Sequence, residues 1–338
     1  MERKVEKKMG ENKMKISGER LLWKAAALII GAAILAGWIM TGRAGISKKD
    51  QEIYASAQKL QPEVDRLGFQ NFKLADYPVA MYDGKQDYVF YQGEIKERAP
   101  VLETFAGTAY PVEDHFEVIV PTLDKLDSLM SLTGGVEDMI SGSGYGEKEQ
   151  IATIWHETFH AWQMSHYAIL GEKMEPSELT AALESDNTGE SEDEILVKAV
   201  DQKDDVKKAV EQEMKTLKVL TAEVSIDEVK KGVLEYRKSV GERRKQMPKE
   251  AVEAEERCEL TEGTAYYVEA NVLKMQSKSG QKYQERYLDS MGQFEGGRGK
   301  YYRTGMAKCM ILDKIDPGWE DRIDFSKSLD TLLDEAVR

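Results

Sequence analysis

The stretch Ile154-Trp155-His156-Glu157-Thr158-Phe159-His160-Ala161-Trp162-Gln163 decides how the rest of the chain is read. His156 and His160 are four residues apart. On a helix their imidazoles leave the same face and can hold one Zn²⁺ between them. Glu157 projects beside them, where a carboxylate can take a proton from water activated by the metal. Of four histidines in 338 residues, two fall in this pattern, and 39 glutamates supply the residue between them. At those frequencies roughly 0.005 such matches are expected by chance, so the pattern carries information.

Outward from this motif the segment 147–170 reads as one helix, entered through the Gly-rich stretch 141–146. That stretch lacks the spacing of a phosphate-binding loop and is taken as a flexible entry. Alternating, β-rich runs at Phe72–Tyr82, Tyr88–Gln92, Thr104–Tyr110 and Phe116–Val120 predict a small, mostly antiparallel sheet over about 71–120, with a turn at Asp83-Gly84. Ahead of it, Ile53, Ala57, Leu60 and Val64 recur at helical spacing from Ser47 to a stop at Gly68. Residues 184–194 are acidic and polar and read as a solvated loop without EF-hand spacing. From Ile195 to about Met275 the chain reads as three helices with breaks near Ser225 and Pro248. A helical tail follows from Gln281, broken at 296–299 and at Pro317. The expected fold class is α+β, with the helical part larger than the sheet.

Residues 1–43 hold nine Lys/Arg against four Glu, while the remaining 295 hold 38 basic and 57 acidic side chains. The net charge is −14, and no cationic face suited to nucleic acid is visible. Lys24 and Arg43 bracket 18 uncharged residues, Ala25 to Gly42. As a helix that run spans roughly 27 Å, close to a bilayer's hydrocarbon core. Trp23 and Trp38 sit near its ends, and seven Lys/Arg precede Lys24. The positive-inside rule predicts a cytoplasmic tail (1–24), a retained transmembrane anchor (25–42) and an extracytoplasmic body (44–338) in the cell membrane. A cleaved signal is the competing reading, weakened by the poor exit at Gly42-Arg43-Ala44. Cys258 and Cys309 make no CxxC or Cys/His cluster, and either form one disulfide or are ordinary buried thiols.

A catalytic zinc site wants a third protein ligand and one open position. Glu262 lies in a predicted helix over about 250–275, beyond a helical insertion over about 190–250. Glu255, Glu259, Glu262 and Glu269 form one acidic stripe there, so Glu259 is an alternative. His166 is the other, placed as in HExxHxxGxxH, but Gln163 stands where that pattern needs glycine. On an unbroken helix His166 lies about 240° around from His160, facing away. Together His156-Glu157-Thr158-Phe159-His160-Ala161-Trp162-Gln163 and Glu262-Gly263-Thr264-Ala265-Tyr266-Tyr267-Val268-Glu269 resemble gluzincin-type zinc metallopeptidases, whose ligand helix often reads E-G-x-A-x-Y-x-E. The resemblance spans roughly residues 104–310, with only the two short motifs specific.

It implies a zincin-like body, His156, His160 and Glu262 as ligands, Glu157 as general base, and a peptide or protein substrate. It also implies a strand edge for an extended peptide, expected at Phe116–Val120. Glu269 is expected either behind a ligand or on a substrate amine. Tyr301, Tyr302 and Arg303 are candidates to donate to the developing oxyanion. His115 is expected to be structural. The function expected is a membrane-anchored metallopeptidase. The alternatives are a metzincin-like enzyme using His166 and a non-catalytic binding ectodomain, and the oligomeric state is left open.

Overall fold

Ser47 opens the first helix by accepting a hydrogen bond from the Asp50 amide at 3.0 Å. This computed structural model describes residues 45–132, 145–173, 175–184, 191–277, 287–289, 291 and 294–338. The expected anchor, Ala25 to Gly42, lies outside the described residues, as do 141–144 and 185–190. Among the described residues no helix is long and apolar enough to cross a membrane. Ile46–Arg338 forms one compact unit.

Helix α1 (Lys48–Lys59) buries Ile53, Tyr54 and Ala57. A turn at Gln61–Val64 and a 3₁₀ turn at Asp65–Leu67 follow, and Gly68 closes them at φ +100°. Five strands come next: β1 (Val79–Tyr82), β2 (Asp87–Tyr91), β3 (Glu94–Arg98), β4 (Thr108–Val112) and β5 (His115–Pro121). Their order is β3-β2-β1-β5-β4, with β1–β5 parallel and the other three pairings antiparallel. Gly84, at φ +96°, makes the β1–β2 turn, and Asp83 Oδ1 accepts from the Lys85 and Gln86 amides. The polar, exposed edge strand β3 was not anticipated. Nor does β5 offer an edge as expected: it runs between β1 and β4, and the outer strand on that side is β4.

After α2 (Leu123–Leu132), helix α3 (Glu147–His166) crosses the sheet against β5 and packs on α1. The spacing of 3 and 4 is used twice on this helix. Trp155, Phe159 and Trp162 enter an aromatic cluster with Phe69 and Phe72, with ring centroids 4.8–5.7 Å apart. His156, His160 and Gln163 lie on the next face round.

The helical part comprises α4 (Pro176–Glu184), α5 (Glu192–Leu196) running into a π turn (Val197–Asp201), α6 (Asp204–Ala222), α7 (Ile226–Arg244) and α8 (Lys249–Cys258). A second π turn (Glu259–Gly263) leads into α9 (Thr264–Met275), followed by α10 (Gly299–Ile315) and α11 (Leu329–Ala336). The breaks at Ser225 and Pro248 are where the sequence suggests. Ser225 caps α7 through the Glu228 amide, and Pro248 precedes α8. A further break at 202–203 divides α5 and its π turn from α6. The fold class is mixed α+β. Cys258 and Cys309 are buried free thiols.

Candidate metal centre

Helices α3 and α9 pack side by side, and the π turn leading into α9 faces the histidines. A π turn holds one residue more than an α turn and changes which way its side chains leave. Glu259 turns toward α10, where Lys308 Nζ and Thr304 Oγ1 donate to it at 2.5 and 2.6 Å. Glu262 turns toward α3. On its other side the π turn packs closely on α10, and that contact needs glycine on both elements. A Cβ on Gly263 would lie 2.5 Å from Gly305 Cα, and one on Gly305 would lie 2.4 Å from the Glu259 carbonyl oxygen.

His156 Nε2 and His160 Nε2 are 3.1 Å apart. Glu262 Oε2 is 3.3 Å from His160 Nε2 and 3.8 Å from His156 Nε2. All three ligand atoms lie within 4.8 Å of one another. A tetrahedral zinc with bonds of about 2.0–2.1 Å sets its donors about 3.3 Å apart, so this triangle fits the ion. The groups behind the donors fit it too. Gln163 spends its amide N–H groups on Thr264 Oγ1 (2.8 Å) and the Thr261 carbonyl (3.3 Å). Its Oε1 therefore faces His160 Nδ1 at 3.0 Å and favours the tautomer with a free Nε2 lone pair. His156 Nδ1 lies 2.8 Å from Glu269 Oε2. Tyr287 OH donates to the other Glu269 oxygen at 2.6 Å, so each oxygen of this carboxylate has a partner.

Burial by itself would raise Glu262, but His160 and His156 outweigh it and hold its carboxyl well below the usual range. Burial raises Glu157, against the lowering effect of the same two histidines. Glu157 is 9 % exposed. Gly107, just before β4, lies against it: a Cβ there would come within 3.0 Å of Glu157 Oε1 and 2.7 Å of Thr153 Cγ2.

Tyr302 lies beside this group. Its ring is 6.0 Å from that of Tyr266, which meets His156 edge-on at 6.1 Å. Burial, then Glu262, raise its phenol. Tyr301 does not join it. It is fully buried with Leu196, Ala254 and Cys258, and its phenol lies in the field of Glu255, Arg243 and Glu259. One step along α10 turns its ring away from the ligands, which corrects its placing among the catalytic candidates. Arg303 pairs with Glu295 at 2.8 Å. His166 sits at the far end of α3, with Nδ1 3.0 Å from the Trp162 carbonyl and 3.4 Å from Tyr77 OH. His115 pairs with Glu117 at 3.1 Å. Of the two alternatives to Glu262, neither Glu259 nor His166 is in the cluster.

Sequence reasoning missed Arg298, whose Nη2 donates to Glu262 Oε1 at 2.7 Å, and also Gly107, Tyr266 and Tyr287. The only available signal for Arg298 was an arginine among glycines, Gly296-Gly297-Arg298-Gly299. Comparison with protein families, curated proteins and solved structures yields no match to this chain.

Proposed function

We propose that the protein is a zinc metallopeptidase with a gluzincin-like ligand set, His156, His160 and Glu262. The reading carries with it a zincin-like body, anchored through Ala25 to Gly42 and working on peptides or proteins outside the cytoplasm. One observation carries it: three donor atoms at zinc spacing beside a buried carboxylate, Glu157, that no ion pair engages among the described residues. Zinc held there would supply Lewis acidity toward a scissile carbonyl and toward water.

The protein's own residues would do the rest. Glu157, raised by burial, takes a proton from the attacking water and returns it to the departing amine. Tyr302, whose ring lies beside Tyr266, is the residue we assign to donate to the oxygen that gains charge. The outer strand β4 follows Gly107, which lies against Glu157, and is the edge we assign to an extended peptide.

Elemental analysis of the purified, metal-replete chain tests the centre. About one zinc per chain is expected, lost in Glu262→Ala and retained in His166→Ala. Against a peptide library, Glu157→Gln should lower turnover about 10²–10⁴-fold with zinc still bound. Wild type without zinc would leave a binding ectodomain as the better reading.

A further inference from the structure

Glu262 divides its two oxygens. Oε2 faces the histidine nitrogens, and Oε1 accepts from Arg298 Nη2 at 2.7 Å. An oxygen tied to a guanidinium is the poorer metal donor, which leaves Oε2 as the favoured one. Arg298 is not a loose surface side chain. Its guanidinium carbon lies 5.8 Å from the Tyr302 ring centroid. Its loop is clamped by two acids from a distant part of the chain. The Arg298 amide donates to Asp193 Oδ1 at 2.9 Å, and the Gly297 amide donates to Asp201 Oδ2 at 2.6 Å. Lys300 Nζ, fully buried, holds the other Asp201 oxygen at 2.9 Å. Gly297 has φ +61°, and a Cβ on it would lie 2.0 Å from Asp193 Oδ1. Glycine is what lets that carboxylate reach the backbone.

Asp193 lies on α5 and Asp201 ends the π turn after it. We propose that Arg298 is a positioning residue that restricts Glu262 to coordination through one oxygen, and that the Asp193/Asp201 pair acts on the metal centre through it. The inference rests on the zinc reading above. Its consequence is a centre with three protein donor atoms and a fourth position left to water, instead of one filled by the second carboxylate oxygen. Lysine would not serve equally, because its ammonium lacks the planar guanidinium that lies over the Tyr302 ring while one N–H holds Oε1.

Cobalt(II) substitution of the full chain tests this without reference to activity. Wild type should take up one cobalt with the strong visible bands of a four-coordinate ion. Arg298→Met should weaken those bands several-fold as Glu262 adds its second oxygen, and should weaken zinc binding about 10–100-fold. Arg298→Lys should fall between, and Asp193→Ala should move the same way by less. Circular dichroism and melting of the metal-free variants confirm that they are folded, as expected for half-buried Arg298 and exposed Asp193. An Arg298→Met protein with the wild-type spectrum and affinity would overturn the proposal. So would tighter zinc binding, which would make Arg298 merely a nearby positive charge. Wild type that takes up no cobalt would overturn the metal centre itself, and this inference with it.

Discussion

Glu259 and Glu262 are three residues apart and meet opposite electrostatic conditions. Glu262 has two imidazoles before it, whereas Glu259 shares Lys308 with Asp330, whose Oδ1 is 2.7 Å from the same Nζ. Burial pushes Glu259 up to about 7 despite Lys308. An acid raised on folding contributes stability in its protonated form. That stability is present below its ordinary value of 4.5 and is lost as pH rises through about 7. Glu259→Gln, which stays neutral, should therefore gain in melting temperature relative to wild type between pH 5 and pH 8. A difference that does not grow with pH would show that Glu259 stays ionised throughout. In the sequence these two acids are equivalent, since spacings of 3, 4 and 7 put Glu255, Glu259, Glu262 and Glu269 on one stripe. What separates them is a π turn and the partners on α10, neither of which local periodicity reveals.

At the scale of elements, α3 was the most legible part of the chain. Its buried aromatic face and its histidine face both obey one helical period, so the motif and the fold report each other. The sheet was legible where strands alternate or are bounded by turns, and illegible at β3, where Glu94-Ile95-Lys96-Glu97-Arg98 carries the polarity of an exposed edge. The crossing of α10 with the ligand turn was also hidden, because nothing local pairs Gly263 with Gly305. That crossing makes a direct prediction. Gly305→Ala forces a methyl against the Glu259 carbonyl and should cost about 1–3 kcal/mol in urea denaturation. It should also weaken zinc binding, since the turn it displaces carries Glu262. Loss of stability with unchanged metal affinity would separate the crossing from the site.

Across the whole molecule 32% of the residues are charged, and a small group of them is buried where the helices meet. Arg243, 4 % exposed, binds Glu213 at 2.9 Å and Glu255 at 2.8 Å, joining α6, α7 and α8. Arg244 reaches Glu255 at 2.6 Å and Asp330 at 2.7 Å, which brings in α11, and Lys308 adds α10. Such a network is invisible in sequence because its members sit on helices whose exposed faces carry the same residue types. Removing one partner strands the others away from water. Arg243→Met should cost about 3–5 kcal/mol by urea denaturation, with little change on adding salt. A cost below about 1 kcal/mol would mean that water enters the network.

One bond carries a mechanical consequence. Trp155 Nε1 donates to the Ala57 carbonyl at 3.2 Å, fastening α1 to the residue just before His156. Asp50 Oδ1, near the other end of α1, accepts from the Leu123 amide. Tension drawn through the chain ahead of Ile46 is borne first by α1, and the indole hands it to the turn of α3 that presents the histidine. An ion shared between α3 and the Glu262 turn would sit on that load path as a rivet. Pulling on this end of the protein would then strain the metal centre before it disturbed the charged helices beyond it.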